Sequence, residues 1–119
     1  MKAEVKRIYS PDVLDLKSYT PQDRECFALQ LQVMVGPKGM EGEESFDLTV
    51  CTPKWLLKQY NRDDIVVGRH HIIVFEYHYH KMIDFIKRLI ESCEGDDWEE
   101  VAQKVSRYGM WEFEDYTGI

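Results

Sequence analysis

The stretch Ser45 to Leu57, SFDLTVCTPKWLL, leaves the chain few choices. Its first half alternates, with Phe46, Leu48 and Val50 set against Asp47 and Thr49, the period of a strand with one apolar face. A helix then begins without a spacer. Thr52 is placed to accept a hydrogen bond from an orphan amide of the first turn, and Pro53 occupies the first helical position, where its missing N–H costs nothing. Trp55, Leu56 and Tyr60 fall along one side of this short helix and are expected to press back on the sheet. A direct passage from strand to helix fixes how two layers sit, and the remaining elements must pack around that joint.

Two further patterns build the sheet. Cys26 to Val35 alternates cleanly, with Phe27, Leu29, Leu31, Val33 and Val35 on one face and Ala28, Gln30, Gln32 and Met34 on the other. Gly36-Pro37-Lys38-Gly39 then turns the chain, so this strand and Ser45–Cys51 form a hairpin with a long, glycine-bearing tip. Lys2 to Tyr9 reads as a first strand, broken by Ser10-Pro11-Asp12. Val13 to Arg24 is irregular and reads as a loop that lays Val13, Leu14, Leu16 and Tyr19 on the surface or over the core.

Beyond the joint, Arg69 to Tyr77 reads as a strand whose run Ile72–Phe75 is apolar throughout, the pattern of a strand covered on both faces or lying centrally. From His80 to Cys93 the period changes to 3.6: Met82, Ile83, Ile86, Leu89, Ile90 and Cys93 share a face, and Gly95 ends the helix. Asp96 opens a third helix with Glu99 completing a capping box; Trp98, Val101, Ala102 and Val105 form its stripe. Met110 to Tyr116 alternates again as a last strand. The order predicts one α+β domain over residues 1–119, a mostly antiparallel sheet of about five strands with about three helices mainly on one face.

With 119 residues, the chain can bury about two-thirds of its unfolded surface and needs neither metal nor disulfide to fold. Its three cysteines, Cys26, Cys51 and Cys93, are odd in number and widely spaced, which fits buried free thiols in a reducing compartment. No apolar run approaches the roughly 20 residues that span a bilayer, and the first ten residues lack the apolar block of a signal peptide. A cytoplasmic protein that touches no membrane is expected. The net charge of −7 argues against nucleic acid, whose phosphates call for Lys and Arg. It suits solubility, and equally a basic partner.

Little here promises catalysis. Four histidines, His70, His71, His78 and His80, lie within eleven residues, and imidazole is a common metal ligand. A metal-dependent enzyme using His71, His78 and His80 is therefore one alternative, with His78 and His80 sharing a face if the strand runs on. Against it, HExxH and CxxC are absent, and the adjacent His70 and His71 point opposite ways on a strand. The glycine turn lacks the GxxxxGK[ST] pattern of a phosphate loop. No cofactor is expected. A second alternative is a structural subunit whose Trp-rich C-terminal strand is a docking edge. Acidic residues cluster in the hairpin loop (Glu41, Glu43, Glu44, with Asp47), around the third helix start (Glu94, Asp96, Asp97, Glu99, Glu100), and near the C-terminus (Glu112, Glu114, Asp115). Trp98, Trp111, Phe113 and Tyr116 lie beside these charges. Such clusters solvate a surface, and they also make a negative face for a cationic protein.

Several blocks, in one order, carry a resemblance: KAEVKRIYSPDV, LQVMVGPKG, ESFDLTVCTPKWL, GRHHIIVFEYHY and DDWEEVAQKVSRYGMWEFEDY. Together they resemble the immunity protein 8 family of bacterial polymorphic toxin systems over nearly the whole length. The resemblance implies a small α+β protein, not an enzyme, that binds and neutralises a cognate polymorphic or contact-dependent-inhibition toxin domain in the bacterial cytoplasm. It implies no catalytic residues and does not identify the toxin. Many such toxins are nucleases, whose groove is basic, so the acidic residues Glu41, Glu43, Glu44, Asp97, Glu100, Glu112 and Glu114 are the expected contacts. The free chain is expected to be a monomer or weak dimer.

Overall fold

The computed structural model describes residues 1–114. Three long strands run antiparallel in sequence order: β1 (Ala3–Tyr9), β2 (Ala28–Pro37) and β3 (Glu44–Cys51). Helix α1 (Pro53–Gln59) follows, then a short strand β4 (His71–Ile73), helices α2 (Tyr79–Glu91) and α3 (Trp98–Val105), and a two-residue strand β5 (Met110–Trp111). Strand β4 lies parallel to β3 and β5 antiparallel to it, giving a mixed, mostly antiparallel five-stranded sheet in an α+β fold, as the sequence pattern predicts. Among the described residues no helix is long and apolar enough to cross a membrane.

The alternation of β2 and β3 divides the sheet into unlike faces. Leu29, Leu31, Val33, Val35, Phe46, Leu48 and Val50 are buried under Met82, Ile86 and Ile90 of α2 and Val101, Ala102 and Val105 of α3. The opposite face carries half-buried polar residues, where Thr49 Oγ1 donates to Gln30 Oε1 at 2.8 Å. The irregular loop after β1 is anchored by Leu16, which is buried, and by Tyr19, whose ring meets Tyr77 edge-on at 5.9 Å. Tyr77 in turn packs edge-on against Phe27 at 5.2 Å. Leu14 is fully exposed. At the hairpin tip, Gly36 still pairs with β1, and a Cβ there would collide with the Gly42 carbonyl. Only glycine allows that approach.

Several local readings differ from the structure. Helix α1 does not press on the core: none of its residues is buried, and Trp55 meets Tyr60 edge-on instead. The strand expected over Arg69–Tyr77 is three residues long and lies at the sheet edge, not at its centre; Phe75 is 76 % exposed. His78 ends the extended chain as the N-cap of α2. The cap of α3 is Asp97, one residue later than expected, its Oδ1 accepting from Glu100 N at 2.9 Å. The last strand stops at Trp111, followed by a turn through Glu114; Asp115 and Tyr116 of the expected strand lie outside the described residues.

The joint itself is as the sequence requires. Thr52 is fully buried, and its Oγ1 accepts from Trp55 N at 3.3 Å, capping α1, and from Phe27 N at 3.2 Å, tying the cap to the entry of β2. Replacing Thr52 with Val removes the cap and leaves a buried amide unsatisfied, an expected loss of about 2–4 kcal/mol. Thr52→Ser keeps the hydroxyl and loses only a methyl, about 1 kcal/mol. Urea denaturation of both variants checks the ordering; equal losses would show that the hydroxyl plays no special part.

Candidate functional site

Members of the three acidic groups, remote in sequence, meet at one end of the molecule, with Glu112 the one from the C-terminal group. The start of β3 supplies Glu44, and β5 pairs beside it in the register Phe46 with Trp111. Glu44 Oε1 accepts from the indole N–H of Trp98 and from that of Trp111, the latter at 3.2 Å. One carboxylate therefore joins the hairpin, the first turn of α3 and the last strand. Trp111 also stacks on Phe46, nearly parallel at 6.2 Å, and meets Phe113 edge-on at 6.0 Å. The Trp-rich segment thus helps close the core and pairs along one edge with β3.

Around this centre most of the candidate carboxylates have work within the chain. Glu112 Oε1 accepts from Ser45 N at 2.8 Å, while its own N–H donates to Ser45 O at 3.1 Å, prolonging the ladder by one residue. Glu43 forms an ion pair with Arg7 at 2.8 Å. Asp97 caps α3 by accepting from the orphan amide of Glu100, and Glu100 Oε2 accepts from Asp96 N, just ahead of the cap, at 3.0 Å. Glu100 also lies 3.6 Å from Lys104. Glu114 stands apart, forked onto the Arg69 guanidinium next to the end of α3. Among the described residues Glu41 alone of the seven has no polar partner; it sits exposed at the hairpin tip. Close by, the Lys6 ammonium and the Gly39 N–H hold the Glu4 carboxyl below its usual range. Asp47, on the polar face, keeps one buried carboxylate oxygen unpaired.

The histidines do not assemble. His70 Nε2 lies 2.9 Å from Ser106 O and His71 Nδ1 lies 3.0 Å from Arg69 O. His78 and His80 border a hollow with Tyr19 and Tyr77, whereas His71 borders a different one beside α1. Among the described residues no group of three His, Cys, Asp or Glu side chains is placed to hold a metal ion. The cysteines are all free. Burial pushes the Cys51 and Cys93 thiols up, with Arg107 and Lys104 opposing the rise at Cys93. Both stay protonated near neutrality and are poor nucleophiles there.

Sequence patterning did not single out the apolar surface at the other end of β3. Along β4 and beside it, Leu57, Ile65, Val67, Ile73, Phe75 and Phe85 are exposed. The signal was present in the unbroken apolar run Ile72–Phe75, which burial on both faces explained equally well.

The family model described as Immunity protein 8 matches residues 3–116 of the 119. No curated protein and no solved structure matches the chain.

Two outcomes test this geometry. Glu44→Ala leaves two indole donors without their acceptor, and a loss of about 1–3 kcal/mol is expected in urea denaturation, with a change in tryptophan emission; Glu41→Ala should leave both unchanged. Native-state alkylation should modify Cys26, the partly exposed thiol, well before Cys51 and Cys93, which should react only as the chain unfolds. Peptide mapping of the modified protein reads the order directly.

Proposed function

Because the chain belongs to the immunity protein 8 family, we propose that it binds a cognate toxin domain and neutralises it by tight protein–protein association in the cytoplasm, without chemistry of its own. The partner is a protein with a cationic working surface, as a nuclease requires for its substrate phosphates. The observation that carries this reading is the convergence of Glu41, Glu43, Glu44, Asp97, Glu100 and Glu112 on one end of the molecule, organised about the Glu44 carboxylate. Glu114, paired with Arg69, belongs to the margin of that surface.

Such a surface has two effects. Its field steers a cationic domain toward it and raises the association rate, increasingly so at low salt. It also rejects acidic partners by repulsion, which sharpens choice among related toxins. The intramolecular bonds that occupy most of these carboxylates hold them in place, so little side-chain freedom is lost on binding. Their second lone pairs remain available to a partner's Arg or Lys.

The test uses the small C-terminal domain of the secreted protein encoded by the adjacent reading frame. Glu41→Lys combined with Glu43→Lys gives up one exposed ion pair, worth at most about 1 kcal/mol, and so should fold normally. The association rate is expected to fall about tenfold or more at low ionic strength, with a flattened salt dependence. Unchanged kinetics would remove the acidic end from the interface. Failure of the unaltered chain to bind or protect against that domain would remove the proposed function.

A further inference from the structure

The two edges of the sheet are treated differently. On the β1 side, the end of α2 blunts the edge: Val5 N donates to the Glu91 carboxylate at 3.0 Å and Ala3 N to Cys93 O at 3.0 Å. On the β4 side the edge is open. His70 O accepts from Thr49 N, and Val74 N donates to Cys51 O, so even-numbered residues face β3. By the two-residue alternation, the N–H and C=O of Ile73 point away from the sheet. The strand ends at Ile73, and in the bend that follows the backbone of Phe75 has no hydrogen-bond partner among the described residues.

This open edge runs between two apolar hollows. The first, of about 460 Å³, has Ile72 and Val74 along the strand and Met82, Phe85 and Ile86 of α2 as its wall. The second, of about 510 Å³, lies toward α1 and takes in Leu56, Leu57, Tyr60 and Val66; Ile73 borders both. A strand laid against β4 would send alternate side chains into the two hollows, since successive side chains point to opposite faces. Phe85 of α2, 48 % exposed, lines the first hollow and is open to such a strand.

Charge says which strand. Although the chain is acidic overall, the described residues bordering the two hollows include Lys81, Arg88 and Arg62, none in an ion pair among the described residues, and one carboxylate, Glu76, which is paired with Arg24 at 3.7 Å. A second copy of this chain fits poorly. A two-fold dimer through β4 sets the same patch against itself, bringing Lys81, Arg88 and Arg62 against their own equivalents. A foreign segment with carboxylates at its flanks is complementary.

We propose that β4 is a docking edge at which the toxin domain adds an extended segment to the sheet, apolar at alternate positions and acidic at its flanks. This rests on the immunity reading above and names a second region of the same interface. The apolar contacts at β4 hold the complex, while the acidic end governs encounter. Strand addition supplies main-chain hydrogen bonds for affinity and the hollows for side-chain selection.

The experiment measures binding kinetics and backbone hydrogen exchange with the same adjacent-frame toxin domain. Phe75→Glu and Phe85→Glu alter exposed side chains, and Lys81→Glu with Arg88→Glu reverses the flanking charge. Each should raise the dissociation rate about tenfold or more with the association rate little changed by the Phe substitutions. In the complex with the unaltered chain, the Ile73 and Phe75 amides should exchange at least about a hundredfold more slowly, a change that requires new hydrogen bonds at that edge. Tight binding by the unaltered chain with wild-type dissociation rates in all the variants, or unprotected Ile73 and Phe75 amides, would overturn strand addition while leaving the immunity reading intact. No binding by the unaltered chain would instead overturn the immunity reading itself, and this inference with it. Dimerisation of the free chain that Phe75→Glu abolishes would assign the edge to a second copy and overturn the proposal.

Discussion

Strand β3 has eight residues whose backbone polar groups point alternately to its two sides, and the rest of the fold is arranged to satisfy both. On one side β2 pairs along its whole length. On the other, no single strand is available. On that side the polar groups of Asp47 are met by β5, arriving from the C-terminal end, and those of Thr49 and Cys51 by β4, arriving from the α1 crossover. Buried backbone amides and carbonyls left without partners are costly, so both returns are obligatory. The shortness of β4 and β5 follows: each has only part of one edge to occupy. Thr52 completes the arrangement, because its hydroxyl satisfies Phe27 N just where the ladder ends.

This division of one edge also divides the surface. Where β5 pairs, the neighbouring elements are the hairpin tip and the start of α3, both rich in carboxylates. Their negative charge favours the helix N-terminus and is held in place by indole and amide donors. Where β4 pairs, the hollows beside it are lined by apolar side chains and by Lys81, Arg88 and Arg62, with Glu76 as the one carboxylate among the described lining residues. An acidic chain thereby presents two regions of opposite character within the length of one strand. On the reading proposed above, one partner of adequate size would reach across both regions.

Local signals were read from the sequence most fully. The cap at Thr52 and Pro53, the alternation of β2 and β3, and the 3.6 period of α2 each depend on residues within one or two turns of one another. What pattern could not resolve was tertiary. Ile72–Phe75 is apolar whether it lies at the centre of a sheet or at an uncovered edge, and only the partner elements decide. Adjacent Asp96 and Asp97 each have a glutamate three residues on, so the capping pattern fits two frames; the structure takes the second. Trp55 and Leu56 have helical spacing, yet no core lies beneath α1 to receive them. At the candidate site the carboxylates were identifiable as residues. Their gathering at one end was not, because it depends on β5 returning to β3, and neither were the bonds that occupy them.

Glu44 and Glu41 stand three residues apart with opposite freedoms. Glu44 fastens three segments, and altering it disturbs the architecture. Glu41 fastens nothing, so its side chain can be exchanged without folding cost. If the hairpin apex meets a toxin as proposed, a lineage under pressure to recognise an altered adversary has a position to rewrite there, while the anchor beneath keeps the apex in place. Freedom and scaffold are then separated by three residues of chain, a separation that would let a small protein diverge in what it recognises without forfeiting its shape.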